Sequence, residues 1–311
     1  MGSVSSEGLP ESYQWFPDQI AGHHPSVIKN GKREIGLLKI PGSHEILKPK
    51  QDASRGEKEV ALYKLLSSSS SVDATTSSSL LTTSSDGLRN GTRMKDVNRM
   101  KGLTAKFYGM ETLFVDGEDR EFLVLEDVTS DYTRPAILDL KMGQVTYDPL
   151  ASAAKIEKET IKYPPQATMG LRILGYRLAI KKRDWLIQIH QCNKEVEIRD
   201  KDWGKSFDET NIQNGLSEYF SARHADLKMV LQEALDRLQP FKEFFESQES
   251  FKFFASSLLF VYEADKTLPI NLRIVMIDFS HAFESNGQRD EGYLFGIKNL
   301  EKYLNSLISE T

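Results

Sequence analysis

The sequence predicts an α+β protein of two lobes, and three observations support this prediction. The first part of the chain carries short apolar runs around one helical segment, the later part alternates longer strands and helices, and the irregular segment Ser130–Arg134 separates them. We therefore assign residues 16–128 to an N-terminal lobe and residues 129–311 to a C-terminal lobe, after a disordered tail at residues 1–15. The 311 residues, 39% of them hydrophobic, are enough to bury such a core.

The N-terminal lobe is predicted to begin with a β-hairpin, because the turn sequence Pro41-Gly42-Ser43 joins two apolar runs. A helix with a partly apolar face is predicted over Arg55–Leu66. The serine- and threonine-rich composition that follows predicts a disordered insert over residues 67–90. The predicted strands of this lobe are Ile35–Ile40, Glu45–Lys48, Leu103–Met110 and Phe122–Val128.

The C-terminal lobe is predicted to contain a buried sheet covered by helices, since two of its apolar runs are almost continuous. A helix rich in lysine and glutamate is predicted over about residues 149–163 and ends before Pro164-Pro165. The other predicted strands are 136–141, 171–180, Phe254–Glu263 and Leu272–Phe279, and the other predicted helices are Asn211–Phe220, Arg223–Glu246 and Tyr293–Ile308.

Composition limits the classes of function. The net charge of −5 argues against nucleic-acid binding through bulk charge, so a polyanionic ligand needs a local basic cluster. Cys192 is the single cysteine, which is consistent with a reducing compartment. The sequence has neither a run of about 18 apolar residues nor a signal-peptide pattern.

The most informative segment is Pro135–Gly143, which fits the pattern Pro-x-x-x-Asp-x-Lys-x-Gly. Because alternate residues of a strand point to the same side, Asp139 and Lys141 are presented together on a rigid element. The carboxylate could hold a sugar hydroxyl or a metal ion, and the ammonium could hold a phosphate.

A second acidic residue, Asp278, stands near the end of a predicted buried strand and is followed by Phe279. An aspartate in this position can ligate Mg²⁺ that bridges nucleotide phosphates. Neither the P-loop pattern nor the catalytic-loop pattern of protein kinases is present. An aspartate at a strand end is usually a cap or an ion-pair partner, and a lysine on a strand is usually solvated. The interpretation as a nucleotide and metal site therefore depends on the occurrence of these residues together in one chain.

Together these motifs resemble the blocks of the inositol polyphosphate kinase family, and most closely its multikinase branch. The resemblance covers roughly residues 16–66 and 102–310. It implies a two-lobed kinase-like fold with a small helical substrate-binding segment, ATP and Mg²⁺ as cofactors, and phosphorylation of inositol tris- and tetrakisphosphate to the pentakisphosphate. The blocks that carry it are Leu125–Thr129, Pro135–Gly143, Ala255–Glu263, Ile277–His281 and Asp290–Tyr293.

The resemblance implies roles for residues that bind the nucleotide. Lys48 matches the lysine that binds ATP phosphates, and Lys39 is its rival because Leu37–Ile40 imitates the lysine strand of protein kinases. The block around Glu59 favours Lys48, and Glu59 then matches the helix carboxylate that pairs with it. The alternative for Glu59 is a solvated helix face.

The resemblance also assigns the contacts around the adenosine and the metal. Glu126 and Val128 fall where the inter-lobe connector offers a backbone C=O and N–H to adenine. Asp139 matches the residue that holds the ribose hydroxyls, and Asp278 matches the catalytic Mg²⁺ ligand. Lys141 matches a catalytic lysine near the transferred phosphate and the substrate.

On the substrate side, the resemblance implies that His281 lies close to the inositol ring and that Ser256 and Ser257 lie beside the metal and phosphates. A histidine that only supports neighbouring residues is the alternative for His281. Arg55 and Arg177 are further substrate-binding candidates by family position.

Lysines on the 149–163 helix are the other substrate-binding candidates. Lys155, Lys158 and Lys162 recur at i, i+3 and i+7 and share one helix face. Glu157 and Glu159 interleave with them, so a solvated helix with intrahelical ion pairs is the alternative. Lys158-Glu159 also stands where the animal multikinase pattern has neutral amides. Because this helix face contacts the inositol phosphates in the family, the resemblance does not define which inositol phosphates are substrates.

Three alternatives remain open. A hexakisphosphate kinase that makes pyrophosphates shares the signature, and a trisphosphate 3-kinase fits less well because the lysine helix is short. A non-catalytic kinase-fold scaffold in transcription is the alternative from another class. The resemblance further suggests phosphoinositide lipid head groups as substrates, transcription complexes as partners, a monomer, and location in the nucleus and cytoplasm.

Overall fold

A computed structural model describes residues 8–20, 28–29, 32–68, 87–179 and 196–311. It contains two five-stranded antiparallel sheets, one in each lobe, with helices packed against them. Within the described residues no helix is both long and apolar enough to cross a membrane.

The N-terminal sheet has the strand order β1-β4-β5-β7-β6. Helix α1 packs on this sheet through Val60, Tyr63 and Leu66, and its buried face also carries Glu59. The elements of this lobe are β1 (Gln14–Trp15), β2 (Ile28–Lys29), β3 (Lys32–Arg33), β4 (Leu38–Lys39), β5 (Glu45–Pro49), α1 (Ala53–Ser67), α2 (Gly87–Met100), β6 (Phe107–Val115) and β7 (Glu118–Glu126).

The C-terminal sheet has the order β10-β9-β8-β12-β13, and a short ribbon of β11 and β14 stands beside it. Strand β8 is central and buried on both faces, which explains its nearly continuous apolar sequence. The elements are β8 (Pro135–Met142), α3 (Ala153–Lys162), α4 (Pro165–Met169), β9 (Leu171–Ala179), β10 (Val196–Arg199), α5 (Lys201–Gly204), α6 (Ile212–Phe220), α7 (Leu227–Ser247), β11 (Phe251–Phe253), β12 (Ser257–Glu263), β13 (Arg273–Ile277), β14 (Ala282–Glu284) and α8 (Glu291–Glu310).

One apolar cluster extends through both lobes. Tyr63 of α1 meets Phe279, just after β13, edge to face with ring centroids 5.2 Å apart. Thr104 also forms a bridge with Met276 of β13. The N-terminal sheet and α1 are thereby held against the end of β13, where the predicted metal ligand lies.

Helix α2 was not predicted, and its first residues, 87–90, fall within the predicted insert. Most of the helix is polar, so its sequence shows little apolar periodicity. Val97 and Met100 are nevertheless buried, and the buried Asp96 accepts hydrogen bonds from Ser250 Oγ and Glu249 N. Residues 69–86 of the predicted insert lie outside the described residues.

The predicted tail was wrong for residues 8–15. Leu9 is buried, the Gly8 carbonyl accepts from Asp116 N, and Tyr13 Oη donates to Glu111 at 2.6 Å. These isolated contacts leave no periodic signal in a short segment. Residues 1–7 lie outside the described residues.

Several predicted strands had wrong boundaries. The strand predicted over Ile35–Ile40 is limited to Leu38–Lys39, and the one predicted over Phe122–Val128 runs over Glu118–Glu126. The strand predicted from Phe254 begins at Ser257, because Ala255 adopts a left-handed φ of 55° that interrupts the extended chain. The strand predicted over Leu103–Met110 runs instead from Phe107 to Val115. A single short 3₁₀ turn at Lys101–Leu103 accounts for its late start.

Candidate active site

Lys48 joins the two lobes at the cleft between the sheets. Its Nζ lies 2.6 Å from Glu59 Oε1 and 2.5 Å from Asp278 Oδ1. Burial opposes a charged lysine, but the carboxylates of Asp278 and Glu59 outweigh it and raise the pKa of Lys48. The rival lysine, Lys39, is paired with Asp127 instead. Lys48 is therefore the lysine that the structure brings together with both predicted carboxylates.

The backbone around Asp278 turns its side chain toward Lys48. Asp278 has a left-handed φ of 66°, a conformation that costs a non-glycine residue about 1–3 kcal/mol unless its surroundings hold it. Glu59 provides such support, since its carboxylate accepts from Phe279 N at 3.0 Å and from Ser280 Oγ at 3.4 Å. The Asp278 side chain keeps 41% exposure and remains accessible from the cleft.

Asp139 and Lys141 lie on β8, as predicted, and both sense the charge of Asp278. Burial, together with Asp278, raises the pKa of Asp139 to about 7, while the Ser257 hydroxyl opposes the rise. Burial also lowers the pKa of Lys141, and the positive charge of Arg172 adds to this effect. Asp139 and Asp278 therefore lie near each other and do not lie on opposite sides of the molecule.

A β-bulge adjoins Asp139. The register between β8 and β9 shifts between Asp139 and Leu140, and Asp139 stands opposite Gly175, whose φ is 151°. A Cβ on Gly175 would lie 2.4 Å from the Arg199 carbonyl oxygen, so a side chain does not fit there. Bulges redirect neighbouring side chains and are frequent beside active sites.

Ser256 and Ser257 are buried on the other side of β8. Ser257 pairs in register with both Lys141 and Ile277, and Met142 N donates to the Ser256 carbonyl at 3.0 Å. The structure therefore places both predicted serines beside the aspartate–lysine strand.

Arg172 was missed by the sequence analysis. It lies on β9 directly opposite Lys141, is buried, and stacks its guanidinium on Tyr163 at 5.3 Å from the ring centroid. Burial lowers its pKa, and Lys141 senses the positive charge of both Arg172 and Lys162. An arginine in an apolar strand was the available signal, but only the strand register shows that it faces Lys141.

The three predicted lysines lie on one face of α3, which is capped by Ser152 Oγ accepting from Lys155 N. Lys155 and Lys162 both contact Glu159, with N–O distances of 2.8 Å and 3.4 Å, and Lys158 is exposed. The positive charge of Lys162 contributes to the lowered pKa of Lys141, so this end of α3 lies near β8.

His281 is held by an aspartate that was not predicted. Its Nδ1 lies 2.5 Å from Asp148 Oδ2, in the loop between β8 and α3. Its backbone carbonyl accepts from Phe254 N at 3.1 Å. With Nδ1 engaged by Asp148, Nε2 is the nitrogen that can meet a ligand.

The connector between the lobes is anchored by the Glu126 side chain. Both carboxylate oxygens contact the Arg273 guanidinium, at 2.7 Å and 2.9 Å, and this pair lowers the pKa of Glu126. Glu126 N donates to the Lys106 carbonyl, and Val128 is buried. The adenine contacts assigned to the Glu126 C=O and the Val128 N–H stay predictions.

Of the two predicted arginines, Arg177 has a partner away from the cationic cluster. Arg177 lies on β9 opposite Ile137, two pairs beyond the Asp139 pair, and forms an ion pair with Asp18 at 2.7 Å. Arg55 is exposed in the first turn of α1, and its assignment to the substrate stays a prediction.

The cleft has two unsatisfied polar atoms: a carboxyl oxygen suited to a hydroxyl and a guanidinium nitrogen suited to a phosphate. Asp139 Oδ1 and Arg172 Nε are buried, and neither has a hydrogen-bond partner among the described residues. The same residues contain no group of three histidine, cysteine or acidic side chains that could enclose a metal ion. Mg²⁺ is usually held by one or two carboxylates together with substrate phosphates and water, so Asp278 fits such an ion only when a nucleotide is present.

Two antiparallel sheets meeting at a cleft, with Lys48 paired to a helix carboxylate and to an aspartate after a strand, define a kinase-like fold. A family model described as inositol polyphosphate kinase matches residues 122–305, more than half of the chain. The chain belongs to the inositol polyphosphate kinase family.

The chain is similar to inositol polyphosphate multikinases from an animal and a plant. The human inositol polyphosphate multikinase is 27% identical over 270 residues, which cover 87% of this chain and 56% of that protein. Inositol polyphosphate multikinase alpha of Arabidopsis thaliana is 26% identical over 306 residues, with 93% and 94% covered. The chain spans about half the length of the mammalian multikinases that it matches.

A crystal structure of the inositol phosphate multikinase from S. cerevisiae, in complex with ADP and Mn²⁺, superposes with a TM-score of 0.64. It is 21% identical and covers 86% of this chain and all of its own. The similarity shows that the two chains share a fold.

Proposed function

We propose that the protein is an ATP-dependent inositol polyphosphate multikinase that phosphorylates inositol tris- and tetrakisphosphate on ring hydroxyls to give the pentakisphosphate. The observation that carries the proposal is the convergence of Lys48, Asp139 and Asp278 beside the cations Lys141 and Arg172. Membership of the inositol polyphosphate kinase family supports this choice of substrate.

The nucleotide side of the cleft is assigned to three residues. Lys48 binds ATP phosphates and is kept in place by Glu59, while Asp139 accepts hydrogen bonds from ribose hydroxyls. Asp278 holds Mg²⁺, which when bound neutralises charge on the phosphates. Phosphoryl transfer needs little covalent chemistry from the protein, so positioning and electrostatic stabilisation carry most of the effect.

The acceptor side is assigned to the cations that line β8, β9 and α3. Arg172 and Lys162 both act on Lys141 electrostatically, and an anionic ligand beside these cations would be favoured. His281, oriented by Asp148, can hydrogen-bond a ring hydroxyl through Nε2. These groups fix which hydroxyl lies near the transferred phosphate.

The alternatives make different products or none. A hexakisphosphate kinase would convert inositol hexakisphosphate to a pyrophosphate, and a non-catalytic scaffold would convert nothing. The presence of Lys48, Asp139 and Asp278 in one cleft favours an enzyme over a scaffold. Activity on phosphoinositide head groups, transcription-complex partners, a monomeric state and location in the nucleus and cytoplasm stay predictions.

The test is to incubate the purified protein with ATP, Mg²⁺ and each inositol phosphate from tris- to hexakisphosphate, and to separate the products by charge. We expect the tris- and tetrakisphosphates to be converted to the pentakisphosphate. The Asp278→Asn protein, purified in parallel, reveals any contaminating kinase. Conversion of the hexakisphosphate alone, or of no inositol phosphate, would contradict the proposed function.

A further inference from the structure

Glu159 is an acidic residue between two lysines of α3, Lys155 and Lys162. Its side chain is only 10% exposed, whereas Lys155 and Lys162, its ion-pair partners, are 51% and 41% exposed. Burial alone would raise the pKa of Glu159, but these two lysines outweigh burial and lower it. The carboxylate is therefore ionised and held between the two lysines.

The influence of Glu159 reaches beyond α3. Its negative charge acts on Arg172, which lies opposite Lys141 on the neighbouring strand. The positive charge of Lys162 in turn contributes to the lowered pKa of Lys141. Glu159 thus lies where the helix lysines meet the cations of the sheet, within the region assigned to the phosphates of the substrate.

We propose that Glu159 is a specificity-determining residue that excludes a substrate phosphate from the position between Lys155 and Lys162. This inference rests on the proposed function and refines its substrate class. A phosphate carries a charge of about −1.5 to −2 and would meet the Glu159 carboxylate directly, whereas a hydroxyl can donate a hydrogen bond to it. The site therefore selects inositol phosphates that present a free hydroxyl to this part of α3.

The chain offers a matched control on the same helix. Glu157 is exposed and lies on the opposite side of α3 from Glu159, so Glu157→Gln removes the same charge from the same helix. Glu159→Gln preserves side-chain size while removing the negative charge. Thermal unfolding of both variants checks that α3 remains folded.

The experiment measures binding and turnover separately. Binding of inositol tris- and hexakisphosphate is measured by calorimetry without nucleotide, and kcat and KM are measured for the tris- and tetrakisphosphates. Glu159→Gln is expected to strengthen hexakisphosphate binding relative to trisphosphate binding by about tenfold, which equals about 1.4 kcal/mol. In turnover, the change should appear in KM more than in kcat, and Glu157→Gln should leave the binding ratio within about twofold.

The possible results distinguish the two proposals. An unchanged binding ratio in Glu159→Gln, or an equal change for both ligands, overturns the role of Glu159 while normal turnover leaves the proposed function intact. An equal change of the binding ratio in Glu157→Gln also overturns this role, because the ratio then depends on the total charge of the helix and not on the position of Glu159. Absence of turnover with every inositol phosphate rejects the proposed function, and the binding ratio still decides the role of Glu159.

Discussion

Lys48 Nζ and Asp278 Oδ1 lie 2.5 Å apart, although the residues belong to different lobes and are 230 positions apart in the chain. Lys48 has a second partner, Glu59, which is fully buried, whereas the Asp278 side chain is 41% exposed. Glu59 is therefore a permanent partner and Asp278 an exchangeable one. A divalent ion can engage Asp278 without leaving the ammonium of Lys48 unpaired.

The first prediction concerns Lys48→Met. Removing the ammonium leaves the buried Glu59 carboxylate without its cation, so the free energy of unfolding should fall by about 3–5 kcal/mol. Phosphate transfer should fall at least about 100-fold. Urea denaturation and initial-rate measurements check the two effects.

A double variant separates stability from activity. Lys48→Met combined with Glu59→Gln removes the unpaired charge, so most of the lost stability should return while transfer stays low. Recovery of activity in the double variant would show that Lys48 acts only through folding.

The second prediction concerns Asp278→Asn. Asparagine tolerates the left-handed backbone at this position, so the fold should persist while phosphate transfer falls at least about 100-fold. Because the charge of Asp278 contributes to the raised pKa of Asp139, that pKa should also decrease. NMR titration of the Asp139 carboxyl measures the shift, and Asp119→Asn, at an exposed position, is the control. Retained turnover would refute the assigned metal-ligand role.

The third prediction is a pH dependence of stability that originates at Asp139. The folded protein raises the pKa of Asp139 from 3.8 to about 7, so the folded state binds this proton more tightly than the unfolded state. This contribution is fully present below pH 3.8 and is lost as the pH rises to about 7, with a slope of at most about 1.4 kcal/mol per unit. Asp139→Asn does not titrate and should therefore gain stability relative to the natural protein across this window. Urea denaturation without metal, between about pH 5 and pH 8, tests the trend; a constant difference between the two proteins would contradict it.

The fourth prediction contrasts two arginines of β9. Arg172→Lys keeps a positive charge but loses the planar fork beside Lys141, so KM for the inositol phosphate should rise about tenfold or more while KM for ATP changes little. Arg177→Ala removes an arginine that pairs with Asp18, and KM for the inositol phosphate should stay within about twofold. Steady-state kinetics, with ATP and the inositol phosphate varied in turn, measure both KM values in each variant. A larger effect at Arg177 would reverse the assignment made from the strand register.

Some features depend on local pattern and could be predicted from the sequence. The spacing of Asp139 and Lys141 places them on one side of a strand whatever the rest of the fold does, because strand side chains alternate. The preference for Lys48 over Lys39 came from the neighbouring block that contains Glu59, and the structure pairs Lys48 with Glu59.

Other features depend on contacts between distant segments. The register of β9 against β8, with the bulge beside Asp139, places Arg172 opposite Lys141. The same register places Arg177 opposite Ile137, away from Lys141. The role of Asp148 can be inferred only from its contact with His281. Neither register nor loop packing leaves a periodic trace in the sequence.

By itself, the sequence determined the two-lobed α+β class, the aspartate–lysine strand and the lysine face of α3, because each follows from local periodicity or from a short motif. Only the tertiary structure decided which charges meet in the cleft: Lys48 with Asp278, and Lys141 with Arg172. The physical reason is that electrostatic interactions depend on distance and burial, and these are set by strand pairing and packing across the whole chain.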